Sequence, residues 1–370
     1  MKVLLATGIY PPDIGGPATY VHALASELIK KDIDVVVVTY GRKEGQKGQK
    51  GWRVIRIPKW GGPFLRWWRY AKALRREGED ADVVYAFSSV SCGVPLWIAG
   101  LRKPCHVLRL GGDFIWERYT DWGGMLSLKE WYQSLHWSLR LSHRLMGWLL
   151  RLFDHIIFST EFQKEIYEDF FQPPPPYSVI ENALPTPLSP LVLHTKHNPF
   201  RLLFIGRFVG FKNLNCLLDA LVQLPHMTLT LVGSGPLRRN LERKVYEEGL
   251  TEHVRFMDSI RGKAKEKLFM DYDLLILPSI TEISPNVALE ARVMGLPVLL
   301  TSETGLTPAL TAGMVIRPLK TTEDIVREVL TVEQEYDRIA AGAAKLPVNR
   351  GWDIVCNEHI QLFQSLLHFP

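Results

Sequence analysis

The sequence predicts two doubly wound α/β domains in series, and three observations carry that expectation. The chain has 370 residues, beyond the length at which a single hydrophobic core stops growing. Near-continuous Val, Ile and Leu runs alternate with segments of helical spacing, the pattern of a parallel sheet covered on both faces. The rhythm halts once, at a Pro-dense stretch, and then restarts.

In the first half, residues 2–6 read as a buried apolar strand, residues 18–30 as a helix, and residues 34–39, with four consecutive valines, as a second strand. Further strands are predicted over 54–57, 83–86, 106–110 and 155–159. The linker is read from residues 172–176 through Pro185, Pro187 and Pro190. Beyond it, strands at 201–205, 228–232, 254–257, 274–277 and 297–301 alternate with helices at 213–221, 236–248, 263–269 and 285–293. The expected division is 1–185, 186–350 and a closing segment 351–370. In such sheets ligands sit outside the carboxyl ends of the strands, and a cleft between two domains is the default pocket.

Composition narrows the class. Hydrophobic residues at 46% and charged residues at 22% suit a soluble globular protein. No apolar stretch reaches the ~20 residues that span a bilayer, and the opening strand is too short for a signal peptide. A cytoplasmic location is expected. Cys92, Cys105, Cys216 and Cys356 form no C-x-x-C pair and read as reduced structural thiols. The histidines are scattered, so no metal site is expected. The D-x-D segments at Asp32/Asp34 and Asp271/Asp273 each precede an apolar strand, at the amino end, and read as solvated connections.

The net charge of +5 is unevenly placed: residues 1–190 carry 24 basic and 19 acidic side chains, residues 191–370 carry 20 of each. Residues 42–76 hold 12 basic and one acidic, with Trp52, Trp60, Trp67 and Trp68 among them. Nucleic acid and an anionic membrane surface both suit such a patch. Segments 64–76 and 129–151 mix Trp, Leu, Arg and Lys as interfacial helices do; the competing reading packs the tryptophans inside and solvates the arginines.

Three loops carry the candidate chemistry. Residues 278–290 leave a strand and enter a helix, with Ser284 as N-cap and Pro285 at the first helical position, followed by Asn286 and Val287. Backbone N–H groups and the positive dipole end make an anion site there. Glu282 precedes the helix and Glu290 lies two turns along it; carboxylates accept from sugar hydroxyls. Taken singly, these two acids could equally be a loop acid and a solvated helix acid. In residues 206–213, Gly206 and Gly210 allow close backbone approach, and Arg207 and Lys212 supply the positive charge a diphosphate leaving group needs; the bland alternative is two solvated basic residues. The third loop, Gly233-Ser234-Gly235-Pro236, could bring a nucleotide base against the backbone, although alone it reads as a structural turn.

In this order and spacing the three loops resemble the retaining family-4 glycosyltransferases of the GT-B fold, two Rossmann-like doubly wound domains facing each other across a cleft. The E-x7-E of Glu282 and Glu290, followed by Ala291-Arg292-Val293-Met294-Gly295-Leu296-Pro297, is similar to that family's signature. Gly206-Arg207 with Lys212-Asn213 resembles its phosphate clamp. The loop from Pro11 to Ala18, with Gly15 and Gly16, resembles its glycine-rich acceptor-side loop. Residues 179–182 resemble the usual end of its first domain, and the segment from Trp352 onward its returning tail. The resemblance implies that Glu290 binds the nucleotide ribose, Glu282 the hydroxyls of the transferred sugar, Arg207 and Lys212 the diphosphate, with Gly16, Gly206, Gly233, Gly235, Ser284, Pro285, Asn286 and Val287 around the donor.

Two departures are visible. Ile283 follows the first Glu where members have Gly, which implies different phosphate contacts in detail. No His follows the fourth strand of the first domain; Asp113 stands nearby, as a catalytic hydroxyl-binding carboxylate or as an Asx turn. The expected activity is transfer of a hexose from a nucleotide diphosphate-sugar to the hydroxyl of a glycan or lipid-linked acceptor, with retention. Bacterial cell-surface polysaccharide, lipopolysaccharide or glycolipid synthesis is the expected setting, and a peripheral seat on the inner face of the cell membrane a further expectation. No metal, cofactor or nucleic acid is expected. The enzyme rivals are an epimerase or phosphorylase of the same fold, and a nicotinamide dehydrogenase, against which no acid ends the second strand. The non-enzyme rival is a membrane or nucleic-acid adaptor built on the basic patch.

Overall fold

The computed structural model describes residues 1–13, 15–41, 51–134, 137–171, 175–186, 194–345 and 349–368. Residues 172–174 and 187–190 of the predicted linker, Ile14 and the 42–50 part of the basic stretch lie outside the described residues. Contacts divide the chain into two units: Met1–Phe114, Ser134–Ala183 and Arg350–Pro370 form one, Ile115–Gln133 and Leu184–Asn349 the other. Residues 115–133 therefore pack with the second unit, although the sequence places them inside 1–185. Nothing in their composition marks the exchange; it is made by tertiary contacts with residues 206–213 and 278–290.

The first half runs β1 (Lys2–Thr7), α1 (Gly16–Lys30), β2 (Asp34–Tyr40), β3 (Arg53–Ile57), α2 (Gly62–Gly78), β4 (Val83–Ala86), α3 (Val94–Ala99) and β5 (Cys105–Leu110). It continues with α4 (Phe114–Asp121), α5 (Leu128–Gln133), α6 (Trp137–Leu150), β6 (His155–Phe158), α7 (Glu161–Phe170) and β7 (Tyr177–Val179). The seven strands form one parallel sheet in the order β3-β2-β1-β4-β5-β6-β7. Val35, Val36, Val37 and Val38 are all at most 1% exposed. Because successive side chains point to opposite faces, both faces of β2 are covered, which is why its sequence is continuously apolar.

The second half runs β8 (Phe200–Ile205), α8 (Leu214–Val222), β9 (Met227–Val232), α9 (Arg238–Glu247), β10 (Val254–Met257), α10 (Lys263–Met270), β11 (Leu274–Leu277) and α11 (Asn286–Val293). Then follow β12 (Val298–Thr301), α12 (Pro308–Thr311), β13 (Val315–Arg317), α13 (Thr322–Gln334), α14 (Tyr336–Ala343) and α15 (Trp352–His368). This sheet is also parallel, in the order β10-β9-β8-β11-β12-β13.

Two expectations are corrected here. Asp273, read as solvated, is fully buried. Its carboxylate accepts from the backbone N–H groups of His197 (3.0 Å) and Arg201 (2.7 Å) and from the His197 ring (2.8 Å). It thus supplies acceptors to the chain entering β8, and a buried carboxylate is tolerated because every one of those bonds is made. Asp32 and Asp34 are exposed, as read. Pro285 takes the N-cap position of α11, so the helix opens one residue later than predicted, at Asn286, and Ser284 precedes the cap.

Arg292, on α11, is buried and donates to the carbonyls of Ala312, Ala343 and Lys345. These bonds fix α11, and with it Glu290, to the chain around α12 and α14. Bonds from a charged donor are each worth about 1.5–3 kcal/mol, against a large desolvation cost.

In the first unit α15 docks on α1 by a buried polar network. Trp352 meets Tyr20 edge-on, ring centroids 4.8 Å apart. His359 is fully buried; its Nδ1 lies 2.6 Å from the Val355 carbonyl, so that nitrogen carries the hydrogen. Nε2 is left to accept from the hydroxyls of Tyr85 (3.1 Å) and Tyr20 (3.4 Å). Arg109 stacks 4.0 Å over the Tyr20 ring and donates to Ile180 and Asn182.

Burial, with Arg109 close by, holds the His359 ring down to about 3. The unfolded chain takes up that proton near the ordinary value of 6.5, while the folded chain does not until far lower pH. Stability contributed here is therefore full above 6.5 and falls as pH drops, by about 1.4 kcal/mol per pH unit. Urea unfolding of wild type and His359→Gln between pH 7 and pH 5 should show a steeper loss in wild type, by about 2 kcal/mol over the range. Equal slopes would contradict the buried neutral ring.

Candidate functional site

Strand order reverses between β8 and β11, where the chain first builds outward through β9 and β10 and then returns to β11. Loops leaving such neighbours diverge and open a crevice at the carboxyl ends of the strands. The loop after β8 carries Arg207 and Lys212; the loop after β11 carries Glu282 and leads into α11. Topology alone brings these segments together, within one unit.

Their side chains meet. Lys212 Nζ pairs with Glu282 Oε1, and Ser279 donates its hydroxyl to the same oxygen at 2.6 Å. The lysine and glutamate side chains are 13% and 7% exposed, so this pair is shielded from solvent. Opposite charges in such surroundings attract far more strongly than at a surface, while each pays for lost hydration. Lys212 also sits 4.7 Å over the Phe211 ring. Arg207, which is exposed, donates to Glu117 of α4 at 2.8 Å. Glu290 pairs instead with Lys265 of α10, both partly buried.

The backbone holds the loops rigidly. Ile280 N–H donates to the Phe211 carbonyl (2.8 Å), joining the two loops directly. Glu282 N–H donates to Glu303 (2.8 Å) and its carbonyl accepts from Gly305 (2.9 Å), a strand-like bridge to the loop after β12. Phe208 N–H donates to Ser234 and Leu237 N–H to the Phe208 carbonyl, tying in the loop after β9.

The glycines serve this interlock. A Cβ on Gly233, whose φ is 148°, would lie 1.9 Å from the Gly206 carbonyl oxygen, and one on Gly235 would lie 2.4 Å from that of Phe208. Gly233 thus passes against the backbone of Gly206, so close approach within the protein explains Gly233. Gly210 is likewise packed on residues 115–133: a Cβ there would lie 2.1 Å from the Thr120 carbonyl oxygen.

That segment forms a wall of the site which the sequence reading missed. Asp121 accepts from Gly210 N–H (3.1 Å), Trp116 packs on Phe211 (centroids 5.5 Å), and Leu128 N–H donates to the Thr281 hydroxyl (3.0 Å). Lys320 reaches Glu130 at 3.0 Å. Glu117, Lys265 and Ser279 are therefore additional residues of the site; only their contacts single them out.

The remaining candidates are dispersed. Asn286 and Val287 open α11, with Pro285 at its N-cap. Gly16 opens α1 in the first unit and is exposed. Asp113 is fully buried in that unit and accepts from the Tyr167 hydroxyl at 2.6 Å; its carboxylate thus has a structural partner of its own. Among the described residues no group of three or more His, Cys, Asp and Glu side chains could hold a metal ion.

The interlock makes a direct prediction. Gly233→Ala must move two backbones apart and adopt a φ that L-residues avoid, so urea unfolding should show a loss of about 3 kcal/mol or more. A loss below about 1 kcal/mol, within ordinary substitution scatter, would contradict the close passage.

Comparison with known proteins agrees with this geometry. The profile described as glycosyl transferases group 1 matches residues 199–335, and that described as glycosyltransferase family 4 matches residues 14–187. An uncharacterised glycosyltransferase of Methanocaldococcus jannaschii is 27% identical over 342 residues, 83% of this chain and 82% of the relative. Sucrose-phosphate synthase from Thermosynechococcus elongatus superposes with a TM-score of 0.79 at 17% identity, covering 99% of this chain and 98% of the other. The Anabaena protein HepE, solved with UDP and glucose, superposes at 0.72 with 17% identity, covering 99% of each chain. Two parallel doubly wound sheets, both family profiles and these relatives converge: the chain belongs to the group 1, family 4 glycosyltransferases of the GT-B fold.

Proposed function

We propose that this glycosyltransferase moves a hexose from a nucleotide diphosphate-sugar to an acceptor hydroxyl with retained anomeric configuration, and that the switch point of the second unit grips the donor. The observation that carries this reading is the shielded Lys212–Glu282 pair with Ser279, set between the loops after β8 and β11. Three cations of the site are balanced by carboxylates: Lys212 by Glu282, Arg207 by Glu117 and Lys265 by Glu290. A donor diphosphate would draw Arg207 and Lys212 to itself and release Glu282 toward the sugar hydroxyls and Glu290 toward the ribose.

The chemistry asked of these residues is electrostatic. As the bond from the sugar carbon to the diphosphate oxygen breaks, negative charge grows on the leaving group, and prearranged cations stabilise it without reorganisation. The acceptor hydroxyl attacks from the same face, and its proton passes to the departing phosphate oxygen. With this charge supplied by Arg207, Lys212 and the start of α11, we infer that turnover needs no metal. Gly16 is assigned to the acceptor side; Asp113, buried with its Tyr167 partner, is read as the structural turn carboxylate, the other of its two sequence readings. The neighbour solved with UDP and glucose makes UDP-glucose the first donor to assay. The reading places the enzyme at the cytoplasmic face of the cell membrane, on a glycan or lipid-linked acceptor of a cell-surface polysaccharide, lipopolysaccharide or glycolipid.

Removing Lys212 has two separable effects. Lys212→Ala should lower kcat by about two to three orders of magnitude, as loss of one transition-state contact does. It also leaves Glu282 buried without its partner, which should cost about 3 kcal/mol of stability. Adding Glu282→Gln should restore most of the stability and none of the turnover. The assay is run in excess EDTA, in which the wild type is expected to stay active. A stable double variant with kcat near that of wild type would overturn the assignment.

A further inference from the structure

The basic, aromatic half of the chain gains a definite shape in the fold. Trp52, counted with the patch in sequence, is buried, and its ring N–H donates to the Tyr10 hydroxyl at 3.0 Å. Phe64 and Trp68 of α2, Trp97 of α3 and Trp148 of α6 are exposed instead, while Trp122, Tyr246 and Phe114 are exposed outside these three helices.

On α2 the inward face is Tyr70, Ala71, Ala73 and Leu74, all buried. Its outward stripe begins with Phe64, Leu65 and Trp68 and continues with Lys72, Arg75 and Arg76, every one exposed. Phe64 is 80% exposed and Trp68 56%. The helix start is flanked by Trp60, on whose ring Arg69 stacks at 3.5 Å. α3 packs along α2 and presents Trp97 and Ile98 outward. Trp97 meets Trp148 of α6 edge-on, ring centroids 5.9 Å apart.

α6 repeats the pattern. It already buries an apolar face, Met146, Leu149 and Leu150. An ordinary surface helix would then turn polar residues outward. Instead the outward positions at helical spacing are Leu141, Arg144, Leu145 and Trp148, with Arg151 just beyond. Leu141 is 75% exposed and Leu145 50%.

We propose that α2, α3 and α6 form one docking face for an anionic lipid bilayer. Charge complementarity selects this occupant. The outward stripes carry Lys72, Arg75, Arg76, Arg144 and Arg151, and anionic headgroups attract such residues. Trp side chains favour the headgroup level, and Leu and Phe favour the acyl boundary beneath it. A nucleic acid would engage the cations and aromatic rings, but Leu65, Ile98, Leu141 and Leu145 offer phosphates and bases nothing. A second copy would bring the same basic stripes against each other in a two-fold contact, and interface cores are depleted of charge. No described helix is long and apolar enough to cross a membrane, so the face rests on the bilayer. Resting on the proposed function, the face also selects a lipid-linked acceptor over a free glycan.

The test is co-sedimentation of the full chain with phosphatidylcholine vesicles, with and without phosphatidylglycerol, in the absence of any sugar substrate. Binding should require phosphatidylglycerol and fall with added salt. Leu141→Ser with Leu145→Ser should weaken it about tenfold, and Lys72→Gln with Arg75→Gln about tenfold at low salt. Both pairs should leave nucleotide binding by calorimetry unchanged, because none of these residues belongs to the switch-point site. Equal binding to neutral and anionic vesicles would overturn the proposal, as would unchanged binding after the serine substitutions. Displacement of the vesicles by duplex DNA with no loss in the serine pair would mark a nucleic-acid site. A dimer in sedimentation velocity that the serine pair abolishes would mark an interface between copies. Vesicle binding is read without donor, so this face can fail while the donor site stands, and the reverse.

Discussion

The ion pair between Lys212 and Glu282 is the interaction on which the site depends. Its two residues stand on loops that the strand order sends in diverging directions, after β8 and after β11. A shielded pair of this kind contributes little net stability against its hydration cost, yet breaking it is expensive. What it secures is registration. With Ser279 on the same carboxylate oxygen and Ile280 bonded to Phe211, the cationic loop and the start of α11 keep one spacing.

Other features reinforce that spacing. Gly233 and Gly235 let the loop after β9 pass against the backbone of Gly206 and Phe208, where any side chain would force the two apart. Arg292 anchors α11 from behind through three carbonyls. Residues 115–133 close the flank through Glu117, Asp121 and Trp116. The glycines that suggest room for a ligand are thus occupied first by the protein itself. In the proposed reading, space for a donor is defined instead by the side chains of Arg207, Lys212, Glu282 and Glu290.

Much of this was legible in the sequence, for reasons of period and topology. Strands buried on both faces, such as the four valines of β2, announce themselves as continuous apolar runs. Alternation with helices implies parallel sheets, and parallel sheets put loops carrying Arg207, Lys212 and Glu282 at strand ends. The pairings were not legible. Which carboxylate meets which cation depends on side-chain reach across strands far apart in sequence, so Lys265 and Glu117 carried no local signal. The burial of Asp273 was hidden because its partners, His197 and Arg201, arrive from another strand. The short β7 and β13, three residues each, offer too little periodicity to stand out. The exchange of 115–133 leaves composition unchanged and shows only in contacts.

The central claim, that the switch point of the second unit holds the nucleotide, is open to one direct measurement. UDP, GDP and ADP are titrated by calorimetry into the wild type and into Glu290→Ala, whose helix stays anchored by Arg292. The account predicts that one of the three binds the wild type, and that the variant binds it about tenfold or more weakly, as loss of a charged hydrogen-bond acceptor on the ribose would cause. Equal affinity in the two proteins, or no binding of any of the three to the wild type, would contradict it.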